Sequence, residues 1–202
     1  NNDRTFALVV GNEDYSSRQP NLTKESNVPF AINDAKIFAE YLEKTLCIPK
    51  KNISLMFNST TSEIFQGLNK LRLISNVTEG QAKLIFYYAG HGLPDEKTKV
   101  QYLIPVDVSG TNIEYGIRLD SVVKILTTFP NQQVTLILDA CFSGGARNQS
   151  LLSSRGIKIT PKETNLKNKT VLFASSTGSE NSNAFPEQNH GMFTYFLLKK
   201  IK

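Results

Sequence analysis

Three apolar runs, Phe6 to Val10, Leu84 to Ala89 and Val134 to Leu138, the last interrupted only by Thr135, stand out along the chain. Runs of this length without polar alternation, each closed by a Gly or by a Gly-containing turn, predict strands buried on both faces. Ile53 to Phe57 and Val171 to Ala174 read as further strands, and VQYLIP after residue 99 as a small strand or hairpin. Between them the apolar positions take helical spacing. Phe30, Ile37, Phe38, Tyr41 and Leu42 predict a helix opened by Pro29 at its first position, where the missing N–H costs nothing. Thr61 to Ser75, Leu119 to Phe129 and Met192 to Leu198 predict three more, the last followed by Lys199 and Lys200 in favourable positions against the helix dipole.

Strands alternating with helices call for a mostly parallel sheet covered on both faces, because right-handed crossovers lay each helix over the sheet. At 202 residues with 40% hydrophobic content, the chain suffices for one well-buried core, and a single domain over 1–202 is expected. The segment from Phe142 to Lys169 has little periodicity and exceeds the length of an ordinary structureless loop, so it is functional or cut.

Composition narrows the classes. No run of about 18 apolar residues is present, so the sequence read here encodes neither a membrane span nor a signal peptide. Two cysteines, Cys47 and Cys141, make no disulfide framework and fit a reducing, cytoplasmic setting. Six Asn-x-Ser/Thr sequons, beginning at Asn21, Asn52, Asn58, Asn76, Asn148 and Asn168, carry weight only in a secretory pathway. The formal charge of +5 is concentrated between residues 146 and 170, without interleaved aromatics or a nucleic-acid motif, and reads as a solvated loop rather than a nucleic-acid surface.

The chemistry sits at two strand ends. His91 in YYAGHG and Cys141 in DACFSGG each follow an apolar strand, and an open parallel sheet presents its reactive groups at the carboxyl ends of its strands. A thiol near its ordinary pKa is a weak nucleophile at neutral pH and needs a base beside it. His91 is the candidate base and Cys141 the candidate nucleophile, with a thioester as the expected intermediate. Glycines beside both admit a peptide carbonyl close to backbone N–H donors, and Gly92 is the candidate donor. Asp139 closes an apolar strand and Asp34 lies on the apolar stripe of the first helix, so both carboxylates need partners. Together, facing a cleft, they would attract a guanidinium or ammonium. Cys47 reads as an inert small hydrophobe and His190 as a cap or surface residue. The dispersed Cys and His offer no zinc spacing.

The order FALVVGNEDYS, FAINDAKIFAEYL, LIFYYAGHG, YLIPVDV, LILDACFSGG, VLFASSTGSE and HGMFTYFLL resembles the metacaspases and bacterial caspase-like cysteine peptidases, and a His about 50 residues before the Cys fits that group. The resemblance implies a three-layer α-β-α sandwich and a protease. It also implies an oxyanion hole from the N–H groups of Gly92 and Cys141, with a backbone carbonyl often orienting the His. It implies cleavage after Arg or Lys, with Asp34 and Asp139 lining the pocket, and protein or peptide substrates as partners. The Gln-Ala-Cys signature of aspartate-specific caspases is absent.

Departures limit the carry-over. Ala31 and Ala89 stand where metacaspases often have Cys and Ser, and Ser121 follows Asp120 where a second acid would help hold calcium beside Asp107. No cofactor is expected, with calcium activation left open. An acidic pocket beside a basic loop suggests self-cleavage at Arg147, Arg155 or Lys158. Caspase-like folds continue past the last helix seen here, so a truncated or processed chain, or a sheet completed by other residues, stays open. The rival reading is a catalytically silent scaffold or interaction domain on the same fold.

Overall fold

In the computed structural model, residues 2–142, 166, 169–175 and 183–201 are described. Five parallel strands form the central sheet in the order β2-β1-β3-β7-β8, with β1 Thr5–Gly11, β2 Ile53–Phe57, β3 Lys83–Ala89, β7 Gln133–Asp139 and β8 Thr170–Ala174. A small antiparallel sheet, β4 His91–Pro94, β5 Gln101–Ile104 and β6 Ile117–Arg118, stands at the end of β3. A two-residue ladder joins β9 Ala184–Phe185 to β10 His190–Gly191. The helices are α1 Ala31–Lys44, α2 Thr61–Val77, α3 Leu119–Leu126 and α4 Met192–Lys200.

Alternating residues of the sheet feed two cores. Leu8, Val10, Phe86, Tyr88, Leu136 and Leu138 pack with Ile64, Leu68 and Leu71 of α2 and with α3. Ala7, Val9, Tyr87, Ala89 and Ile137 pack with Ala35, Phe38 and Leu42 of α1 and with Leu198 of α4. The result is a three-layer α-β-α sandwich. Each fully buried Leu or Phe contributes about 2–3 kcal/mol by leaving water, which is why these strands tolerate no polar alternation.

The start of α1 departs from the expectation for Pro29. The helix begins at Ala31, and Phe30 before it takes a left-handed φ of 71°. Phe30 therefore cannot continue a helix begun at Pro29. The first-turn N–H of Ile32 is instead taken by Glu13 Oε2 at 3.0 Å, a carboxylate from the β1 loop placed where the helix dipole favours it. The buried stripe is Ala31, Asp34, Ala35, Phe38, Ala39 and Leu42, whereas Ile37 is exposed and Phe30 and Tyr41 only half-buried. Small alanines let α1 approach the sheet: a Cβ on Gly11 would sit 2.5 Å from the Ala31 carbonyl oxygen.

Among the described residues no helix is long and apolar enough to cross a membrane.

Candidate active site

Strands β3 and β7 are adjacent and in register, Ala89 opposite Asp139, and the Gly90 N–H continues the ladder to the Asp139 carbonyl at 3.2 Å. His91 and Cys141 each lie two residues beyond that last pair, at neighbouring strand tips. The Phe142 ring closes against Gly92, where an added Cβ would meet it at 2.7 Å. This gives Gly92 a packing reason to lack a side chain. Both His91 and Cys141 are 1% exposed.

His91 Nε2 lies 2.7 Å from the Ser26 carbonyl oxygen. A carbonyl only accepts, so Nε2 carries the hydrogen and Nδ1 carries the lone pair. The ring is thereby set in the tautomer whose Nδ1 can take a proton from a thiol. Ser26 carries no residue-type signal for this role, since its contribution is a main-chain oxygen.

Asp34 and Asp139, far apart in sequence, converge on Gly191. A Cβ there would lie 2.6 Å from Asp139 Oδ2 and 2.8 Å from Asp34 Oδ2. Asp34 Oδ1 lies 2.5 Å from His190 Nδ1, and its Oδ2 accepts the Gly191 N–H at 2.8 Å. Asp139 Oδ2 accepts the Thr194 hydroxyl at 2.8 Å and its N–H at 3.3 Å, and the same hydroxyl meets Tyr87 Oη at 2.7 Å. Both acids have the partners their burial demands. His190 is thus a part-buried hydrogen-bond partner of Asp34 on α1, not a cap or surface residue. Its partner is remote in sequence, so no local pattern could announce it.

Burial, and next the neighbouring Asp139 charge, push the Asp34 carboxyl up to about 7, against the pull of His190 and the Gly191 N–H. Between its unfolded value near 3.8 and about 7, the folded chain holds this proton and the unfolded chain has released it. Stability from this group is therefore full at acid pH and is lost as pH rises to neutrality. Urea midpoints at about pH 4.5 and 7.5 should fall more for the wild type than for Asp34→Asn; equal falls would remove Asp34 as the cause.

The acids considered for calcium are engaged elsewhere. Asp107 Oδ1 accepts the Thr61 N–H at 2.9 Å at the start of α2, and Asp120 pairs with Arg118 at 2.6 Å. Among the described residues no group of three or more His, Cys, Asp or Glu can hold a metal ion. Cys47 is exposed rather than buried, at a residue with φ 51°. Arg147, Arg155 and Lys158 lie outside the described residues.

The profile of the caspase domain matches residues 4–202. Among solved structures, the chain is similar in fold to the crystal structure of protein GSU0716 from Geobacter sulfurreducens, with a TM-score of 0.65, 15% identity, 97% of this chain covered and 81% of that one. Among curated proteins no match is found.

Proposed function

The chain belongs to the caspase domain family, and from that premise we infer that it is a cysteine endopeptidase acting through a Cys141–His91 dyad and cutting after Arg or Lys. The observation that carries the reading is the pairing of β3 with β7 at Ala89 and Asp139, which brings the two residues to adjacent strand ends while Ser26 fixes the imidazole tautomer.

In this reading His91 Nδ1 takes the Cys141 proton and the thiolate sulfur attacks the scissile carbonyl carbon. The C–N bond breaks as the imidazolium returns the proton to the leaving amine. Water, deprotonated by the same imidazole, then hydrolyses the thioester and regenerates the thiol. Backbone N–H groups of Gly92 and Cys141 are the proposed donors to the tetrahedral oxyanion.

Arg/Lys specificity rests on the two carboxylates gathered around Gly191. In the folded arrangement His190 and Gly191 satisfy Asp34, so a basic side chain enters by replacing the His190 contact. Self-cleavage at Arg147, Arg155 or Lys158 follows from the same specificity.

The test is a panel of otherwise identical peptides ending in Arg, Lys or Asp, with wild type, Cys141→Ala and Asp34→Asn. Cleavage after Arg and Lys is expected, weakening below about pH 7 as Asp34 takes its proton. Asp34→Asn should raise KM for basic peptides more than it lowers kcat. Cleavage after Asp alone would refute the pocket, and no turnover of any peptide would favour the scaffold.

A further inference from the structure

Tyr15 and Tyr88, both fully buried, grip His91 by its main chain. The His91 N–H donates to Tyr15 Oη at 3.0 Å, and Tyr15 donates onward to the Ile104 carbonyl at 2.8 Å. Tyr88 Oη lies 2.8 Å from the same Ile104 oxygen and 3.1 Å from the His91 carbonyl, and the two phenol oxygens are 3.4 Å apart. Ile104 is itself the β5 residue paired with His91. The Tyr15 ring also meets the imidazole edge-on, with centroids 4.6 Å apart.

The glycine before the histidine makes room for this arrangement. A Cβ on Gly90 would stand 2.8 Å from Tyr88 Oη and 3.0 Å from Tyr15 Oη. The Tyr15 loop is also stitched to the loop that supplies the Ser26 carbonyl. Asn27 Oδ1 accepts the N–H groups of Tyr15 at 3.0 Å and Ser16 at 2.9 Å. Burial drives both phenols well above their ordinary pKa, so each stays a neutral O–H donor.

We propose that Tyr15 and Tyr88 are positioning residues for the catalytic imidazole: Tyr15 holds His91 at its N–H and ring edge, and Tyr88 holds it at its carbonyl. The ring then presents Nδ1 to Cys141 while Nε2 stays on Ser26. This rests on the Cys141–His91 reading above. A buried phenol bonded only to the backbone is otherwise an ordinary way to satisfy a polar tip. Here both tips, and the glycine cut to fit them, converge on one residue.

The test is the pH dependence of Cys141 alkylation by iodoacetamide, resolved from Cys47 by peptide mass spectrometry, in wild type, Tyr15→Phe, Tyr88→Phe and Ile64→Val. A thiol paired with an imidazole reacts with a midpoint well below the free value of about 8.5. Tyr15→Phe is expected to raise the Cys141 midpoint by about one pH unit, Tyr88→Phe by less in the same direction, and Ile64→Val, which loosens the core without removing any hydrogen bond, not at all. Tyr88→Phe leaves the His91 N–H bonded, so it carries the test if Tyr15→Phe does not fold. A low wild-type midpoint that both tyrosine variants share would overturn the clamp and leave the dyad standing. A wild-type midpoint at the free-thiol value would sink the dyad reading and the clamp with it.

Discussion

Replacing Cys141 by Ala should bring cleavage of an Arg-terminated peptide to background, a loss of roughly 10³-fold or more in kcat, and His91→Ala should do nearly the same. The two losses should not add. Once the sulfur is gone there is no proton for the imidazole to take, so the double variant should be no slower than either single one. The measurement is kcat for the three variants at saturating peptide, with circular dichroism to show retained fold. Cys141 is a buried neighbour of Phe142, and losing one sulfur atom there should cost only about 1 kcal/mol. Additive losses would mean that the two residues act separately.

Gly191→Ala carries the second large effect, for a different reason. Gly191 has φ −67° and ψ 140°, a backbone that any residue adopts. Alanine is therefore not penalised by conformation. The methyl would instead be driven to within 2.8 Å of carboxylate oxygens of both Asp139 and Asp34. Neither acid can step aside without abandoning Thr194 or His190. The expected loss is about 2 kcal/mol, within the usual cost of overpacking a core, and urea denaturation reads it directly. Preference for Arg over neutral peptides should fall with it. A variant as stable as wild type would show that the acids are less closely gathered than described.

The sandwich was legible because doubly buried strands leave long apolar runs in the sequence, and those of β1, β3 and β7 needed no tertiary information. Helix α2 was equally clear, opening with a Thr60–Glu63 capping box. The start of α1 was not, because a remote carboxylate, Glu13, and a left-handed Phe30 decide it, while Pro29 suggests otherwise.

At the site, Asp139 announced itself as a charge ending an apolar strand, and it does have buried partners. The identity of those partners, Thr194 through its hydroxyl and Tyr87 beyond it, depends on how α4 docks and leaves no local trace. His190 was misjudged for the same reason. Two features of the histidine's surroundings come from main-chain atoms, the Ser26 carbonyl and the His91 peptide, and no side-chain pattern encodes either. Tyr88 was visible in principle, since a Tyr inside an apolar strand that ends in Gly-His must place its hydroxyl somewhere, whereas Tyr15 reaches the site from the loop after β1.

The account depends on sulfur-based acyl transfer at Cys141. Its most direct test is to mix the protein with a peptide ester ending in Arg, quench in acid within the first turnover and locate the acyl group by mass spectrometry. The account predicts the acyl mass on Cys141 as a hydroxylamine-labile thioester, missing from Cys141→Ala. Ester hydrolysis that continues with no acyl group on Cys141, or with one on Cys47 alone, would contradict it.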